Sequence, residues 1–215
     1  MRMDLTEIVL VVDRSGSMAS CRAEAQAGID HFIRSQKEQP GQARLTLCAF
    51  DDRYEFPYQG TLIHEVTGFT LQPRGSTALL DAVGKSINET GQRLAAMPEH
   101  ERPGLVVFMI VTDGQENASH EFTKAQIRQM IEHQQQAYKW QFSYVGANHD
   151  AFADAVSMGV PTAHVASYTP TRSDKAYAAV ASNVVRARYA AASGQSVNLH
   201  YTPDEQAQMN DPAKT

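Results

Sequence analysis

Asp13, Ser15 and Ser17 place one carboxylate and two hydroxyls at alternate positions of a five-residue stretch, the pattern D-x-S-x-S. Three oxygen-bearing side chains this close suit a hard divalent cation, because Mg²⁺ and similar ions prefer oxygen ligands. They follow directly on Ile8-Val9-Leu10-Val11-Val12, an unbroken apolar run. A run so short, β-branched and apolar on both faces predicts a central strand of a parallel sheet covered by helices. Such sheets bind ligands at the carboxyl ends of their strands, where the strand order reverses. Asp13 stands at that end. A second strand of the same character, Leu105 to Thr112, also ends in a carboxylate, Asp113, followed by Gly114. In a doubly wound sheet the first and fourth strands flank the switch point, so Asp13 and Asp113 are expected on one rim. A third loop carries Gly75-Ser76-Thr77 ahead of Leu79, Leu80, Val83, Ile87 and Leu94, which share one helical face. The Thr77 hydroxyl reads either as a helix cap or as a further oxygen ligand.

The elements that must position these residues follow in order. Ser17 can cap a helix from about Met18 to Lys37. Its Met18, Cys21, Ala25, Ile29, Phe32, Ile33 and Gln36 keep the spacing of one buried stripe. Pro40-Gly41 stops it. Arg44 to Phe50 is a second strand, Asp51-Asp52 a turn, and Tyr54 to Ile63 an antiparallel partner that Pro57 confines to a sheet edge. Thr123-x-x-Gln126 is a capping box opening a helix with Ile127, Met130 and Ile131 inward. Trp140 to Val145 is the fifth strand, followed by a short helix from about Asp150 to Met158, led by Asn148 or Asp150. Thr162 to Ala166 is the last strand. Ser173 opens an Ala-rich helix with Tyr177, Val180, Val184 and Ala187 inward, ending near Ser193-Gly194. From Gln195 onward the apolar content is too sparse to pack and predicts a mobile tail. The alternation βαββαβαβαβα gives a three-layer α/β/α doubly wound sandwich, mostly parallel with one antiparallel edge strand. The domain is expected over 1–194 and the tail over 195–215.

The chain has 215 residues, with 19 Lys and Arg against 24 Asp and Glu, a net charge of −5. That length sustains one large α/β domain. A mildly acidic balance without a basic run speaks against nucleic acid or an anionic membrane as partner. No apolar segment approaches membrane-spanning length, the longest being Leu105–Val111. Met1 stands a handful of residues before the first strand, which leaves no room for a signal peptide, so a cytoplasmic location is expected. In a reducing compartment Cys21 and Cys48 are expected as free, packed thiols. A zinc site would need more ligands at closer spacing.

The hexapeptide Asp13-Arg14-Ser15-Gly16-Ser17-Met18 resembles the opening of the metal-ion-dependent adhesion site of von Willebrand factor A (vWA) domains. Gly75 to Val83, GSTALLDAV, resembles the vWA segment that brings a threonine hydroxyl from a second loop. Thr112 to Asn117, TDGxEN, is similar to the third vWA metal motif. The resemblance covers roughly Leu5 to Gly194. Val111 to Ala151, with its WxFxYxGAN strand, looks like a group of stand-alone bacterial and phage vWA proteins.

That resemblance implies Ser15 and Ser17 as direct ligands, Thr77 as a direct ligand in a binding-competent state, and Asp13 and Asp113 as the charge-balancing pair. All five metal positions of the family are matched. The implied ion is Mg²⁺, with Mn²⁺ or Ca²⁺ open because all three take oxygen ligands. Mainly neutral direct ligands leave such a cation under-compensated, so an Asp or Glu of a partner protein is the expected further ligand. The implied function is protein binding, not catalysis. Arg14 occupies the variable position and is expected at the rim, and Gly16 lets the tight loop bring both hydroxyls inward. In relatives that switch, the threonine-bearing loop reaches the metal directly in one state and through water in the other, and the last helix, here Ser173 to Ser193, moves.

Other chemistries fit less well. A phosphotransferase of the haloacid-dehalogenase type also opens on a strand ending in a nucleophilic Asp, here Asp13. It places a second Asp two residues on, where this chain has Ser15. A hydrolase using Ser15 or Ser17 with His120 or His149 lacks a G-x-S-x-G elbow. DRSGSMAS is neither G-x-G-x-x-G nor a P-loop. The rival to an adhesion module is a scaffold that holds its metal constitutively and binds its partner elsewhere.

Overall fold

The computed structural model describes residues 1–147 and 150–210. Among these residues six strands form one sheet: β1 (Arg2–Asp13), β2 (Gln42–Phe50), β3 (Tyr54–Leu62), β4 (Pro103–Thr112), β5 (Gln141–Gly146) and β6 (Val165–Ser167). Their order is β3-β2-β1-β4-β5-β6. All neighbours pair in parallel except β2 and β3, which are antiparallel. The expected edge strand is therefore β3, and its Pro57 lies where no second neighbour needs an N–H. The order reverses at β1, which pairs with β2 on one side and β4 on the other. Asp13 and the residues after Thr112 thus end up side by side.

The helices are α1 (Arg22–Lys37), α2 (Leu79–Ala96), α3 (Lys124–Tyr138), α4 (Ala151–Ser157), α5 (Ser173–Ala192) and α6 (Pro203–Met209). The alternation of β1 assigns them to layers. Ile8, Leu10 and Val12 join a core with Ala25, Ile29 and Phe32 of α1 and Ala176, Tyr177 and Val180 of α5. Val9 and Val11 join the opposite core with Val83 and Ile87 of α2, Ile127 and Ile131 of α3 and Ala155 of α4. Both faces of the sheet are covered, as a strand apolar throughout requires. The capping box of α3 has both halves, with Thr123 Oγ1 accepting from the Gln126 amide and Gln126 Oε1 accepting from the Thr123 amide. Cys21 and Cys48 are free and buried, and burial pushes the Cys48 thiol up to about 12. Among the described residues no helix is long and apolar enough to cross a membrane.

Three expectations need correction. The first helix is preceded by a 3-10 turn over Gly16–Cys21, and α-helical geometry begins only at Arg22. Ser17 does not cap it, because its hydroxyl turns to Asp113 instead. The last strand starts at Val165, not Thr162, since Pro161 opens a 3-10 turn closed by the His164 amide on the Pro161 carbonyl (2.8 Å). The third concerns the segment 195–210, which is packed against the domain where a mobile tail is expected. Leu199, Tyr201 and Met209 are buried in the α5-side core. The Tyr201 hydroxyl lies 2.7 Å from Ser143 Oγ, and Asn183 Nδ2 donates to the Leu199 carbonyl (2.8 Å). The Thr169 amide donates to the Met209 carbonyl (2.9 Å). Three widely spaced apolar anchors suffice here because α5 and β6 already form the groove they enter; average composition conceals such anchors. Residues 211–215, and the capping Asn148 considered for α4, lie outside the described residues.

Candidate metal centre

Three loops at the carboxyl ends of β1 and β4 bring the five expected residues together. The first is the turn after β1. The Asp13 carboxylate is fully buried and accepts the Ser15 amide on Oδ1 (2.7 Å) and the Thr112 hydroxyl on Oδ2 (2.5 Å). The Ser15 amide bond turns the chain back on itself, which aligns both serines on the same side. Ser17 Oγ donates to Asp113 Oδ1 (2.7 Å) and lies 3.0 Å from Ser15 Oγ. Since the Ser17 proton is committed to Asp113, Ser15 is the donor of that pair. Gly114 joins the remaining two. A Cβ at Gly114 would stand 2.9 Å from Thr77 Oγ1 and 3.6 Å from Asp13 Oδ2, so only a bare backbone lets these oxygens approach.

Thr77 is not the cap of α2. That helix begins at Leu79, and its first amides are satisfied from the β4–α3 loop. Leu80 N–H donates to Glu116 Oε2 (2.9 Å) and Asp81 N–H to Ser119 Oγ (3.1 Å). The loops are also bonded to one another. The Gly16 amide donates to the Gly75 carbonyl (3.1 Å), Arg74 to Arg14 (2.8 Å) and Ala78 to Asp51 (2.7 Å).

Arg14, expected at the rim, is 5% exposed. Its Nε donates to Asp51 Oδ2 (2.9 Å) and its Nη1 bonds Glu55, while Arg74 Nε reaches the same Asp51 oxygen (2.7 Å). Burial would raise the Asp51 carboxyl, yet Arg74, the Arg53 amide, Asp52 and Arg14 hold it below the usual carboxylate range. This ion network fastens the first loop to the β2–β3 turn. The supporting residues Asp51, Asp81, Glu116 and Asn117 are not separable from ordinary polar loop residues in the sequence; Glu116 and Asn117 stand within the recognised TDGxEN, but the Leu80 and Thr77 amides they accept lie 36 and 40 residues away.

Two carboxylates dominate the electrostatics. Burial pushes the Asp13 carboxyl upward against the opposing hydrogen bonds of Thr112 and Ser15. Burial likewise raises Asp113, to about 6; the Ser17 bond lowers it and the charge of Asp13 raises it further. Both acids are bonded by neutral donors. Among the described residues no three His, Cys, Asp or Glu side chains gather as a metal cage. The five residues here offer two carboxylates and three hydroxyls, so a cation held by them would meet mostly neutral oxygen. Such a donor set suits a hard divalent ion. Ser17 is exposed and Asp113 half-buried, which leaves the cluster open toward solvent.

Protein-family models give no match to the chain, and no curated protein matches it. Solved structures do. The chain is similar to proximal thread matrix protein 1 from the mussel byssus, with a TM-score of 0.60, 16% identity, and 87% of this chain and 46% of that one covered. A form of that protein with a zinc-occupied MIDAS motif matches with a TM-score of 0.60 and 16% identity over 86% of this chain and 46% of that one. A von Willebrand factor type A protein from Catenulispora acidiphila matches with a TM-score of 0.54 at 13% identity, over 84% of this chain and 42% of that one. The PilB minor pilin from Streptococcus sanguinis gives 0.54 at 12%, over 84% and 61%. The chain thus spans under half the length of the first two proteins. At these identities the likeness is one of fold, and the fold is the vWA, Rossmann-like α/β sandwich.

Proposed function

We propose that this chain is a metal-dependent protein-binding module. Asp13, Ser15, Ser17, Thr77 and Asp113 would hold a divalent cation, Mg²⁺ first and Mn²⁺ or Ca²⁺ as alternatives, as a complete metal-ion-dependent adhesion site. One observation carries the reading: two carboxylates share a largely buried cluster in which, among the described residues, every bond to them comes from a neutral group, and the charge of one raises the other. Uncompensated buried charge is costly, and an external cation removes that cost. When bound, the ion would act as an electrophilic anchor for an anionic oxygen. The protein's own part is to hold Asp13 through Thr112 and the Ser15 amide, and to aim the Ser15 and Ser17 hydroxyls toward Asp113. A partner's Asp or Glu is the natural anionic group, because mainly neutral protein oxygens leave the ion's charge incompletely balanced. On this reading the module is of the bacterial or phage vWA type and acts by binding, not by catalysis.

Folding assembles the three loops, so a bound ion stabilises the native state by mass action, by about 2.7 kcal/mol at one hundred times the dissociation constant. Thermal melting in Mg²⁺ is therefore expected above that in EDTA, and Asp13→Ala removes the difference while leaving a folded chain. An unchanged wild-type midpoint in saturating Mg²⁺ overturns the proposal. If the wild type hydrolyses phosphate esters and Asp13→Ala does not, phosphotransfer through Asp13 replaces it.

A further inference from the structure

Thr77 precedes α2, yet the bonds that hold its backbone come from elsewhere. Its amide donates to Asn117 Oδ1 (2.9 Å). Its carbonyl accepts the amides of Asn117 (3.0 Å) and Ala118 (3.2 Å). Both peptide groups flanking the Thr77 Cα are thus bonded to Asn117, three residues beyond Gly114 in the loop that Asp113 opens. The same loop is sealed to α2 from both directions. Glu116 and Ser119 accept the first helical amides, and the buried Asp81 carboxylate accepts the amides of His120, Glu121 and Phe122 at 2.8 to 2.9 Å. Glu116 in turn accepts the Ala118 and Ser119 amides (2.9 and 2.8 Å), which fixes the loop's own curvature.

We infer that Asn117 is the positioning residue for Thr77, and that it makes the Thr77 hydroxyl and the Asp113 carboxylate parts of one rigid piece. The inference rests on the metal reading above and deepens it. Thr77 is 3% exposed, and an amide left buried without an acceptor costs about 1–3 kcal/mol. Displacing the threonine would break all three bonds to the loop at once. The site therefore keeps a single threonine position with or without a cation, in place of the two-position behaviour that switching relatives suggest. Holding a ligand ready lowers the ordering cost of binding, and residues that orient ligands this way typically change metal affinity by about 10–100-fold.

The test is titration calorimetry of Mg²⁺ into the full chain as wild type, Thr77→Val, Asn117→Ala and the double variant. Asn117→Ala is expected to weaken Mg²⁺ binding by about 10-fold or more. In the Thr77→Val background the same change should cost no further affinity, because the group it positions is already gone. Asn117→Asp keeps the Oδ1 acceptor and should retain tight binding. A residue that only stabilises the fold would lower the melting point in both backgrounds and leave the Mg²⁺ dissociation constant unmoved, which overturns the inference. So does full additivity in the double variant. Should Asn117→Ala not fold, amide exchange of wild-type Thr77 decides: equal protection in EDTA and in Mg²⁺ supports one fixed position, and protection only in Mg²⁺ overturns it. A wild type that binds no Mg²⁺ sinks the metal proposal itself, whereas binding that Thr77→Val weakens and Asn117→Ala does not sinks this inference alone.

Discussion

Glu7 and Asp13 lie on the same central strand, both fully buried, and burial pushes both carboxyls above the usual range. Their surroundings differ in kind. Glu7 accepts two bonds from the Arg93 guanidinium of α2 (3.2 and 2.7 Å) and one from the Thr46 hydroxyl (2.9 Å). Asp13 has a threonine hydroxyl and a backbone amide, and its charged neighbour is a second acid, Asp113. Midway along the strand the chain supplies a cation; at its carboxyl end it supplies another anion. Carboxylates of equal burial can thus be sorted by their counterion. Glu7 fastens α2 to the sheet, whereas among the described residues the bonds to Asp13 come from neutral groups, which is the condition the proposed metal site requires.

The largest expected effect breaks the pairing at Glu7. Arg93→Met leaves an uncompensated carboxylate in the core, and loss of one partner of a buried pair costs about 3–5 kcal/mol. Denaturant unfolding at neutral pH measures it, and adding Glu7→Gln should recover much of the loss. A loss under about 1 kcal/mol would mean that Glu7 is neutral in the native chain and the contrast with Asp13 is void.

A smaller effect, of opposite sign, is expected at the carboxyl end. Asp113 titrates at about 6 in the native chain against a reference of 3.8, so the native state binds this proton more tightly than the unfolded one. Its contribution to stability is full below 3.8 and is lost as pH rises through about 6. Asp113→Asn should remove that slope and leave the metal-free protein at least as stable as wild type at pH 7.5, while abolishing stabilisation by Mg²⁺. Melting in EDTA at pH 4.5 and 7.5 checks the first part. Destabilisation of the metal-free chain by Asp113→Asn at pH 7.5 would show that the acid is structural after all. The same proton competes with the cation, so Mg²⁺ binding to wild type should weaken as pH falls below about 6.

The smallest effect sits far from both acids. His164 Nε2 accepts the Leu199 amide (3.3 Å) while Nδ1 lies 3.1 Å from the Phe142 carbonyl, an arrangement that requires the neutral ring protonated on Nδ1. Burial lowers its pKa, the Phe142 carbonyl opposes this, and His200 lowers it further. Stability from this group is therefore present above the reference value of 6.5 and lost as pH falls below it. Leu199 amide exchange, corrected for the intrinsic rate, should gain protection between pH 5.5 and 7.5, with little change at Val107 in the centre of β4. Equal behaviour of the two amides would remove His164 from the account.

Much of this was legible in the sequence for a simple physical reason. Apolar runs ending in Asp13 and Asp113 report strand burial and strand ends together, and Pro57 reports an edge. The doubly wound order then places the two acids side by side. What escaped depends on partners distant in the chain. Arg14 reads as a rim residue until Asp51 and Glu55 are beside it. Thr77 reads equally well as a cap until Glu116 and Ser119 are found satisfying the helix start. Leu199, Tyr201 and Met209 read as isolated apolar residues until α5 and β6 provide the surface they fill.

The packing of that last segment bears on how copies of the protein behave toward each other. A sheet with open borders invites strands from other molecules to add on. β6 is three residues long, and Asn210 Nδ2 donates to its Ser167 carbonyl (3.2 Å) while Met209 occupies the Thr169 amide just beyond. At the opposite border β3 carries Pro57, and its pairing with β2 is interrupted by register shifts. The segment 195–210 thus acts as a selvedge: it finishes one margin of the sheet, as proline and irregular pairing finish the other, and so discourages margin-to-margin stacking in a crowded solution.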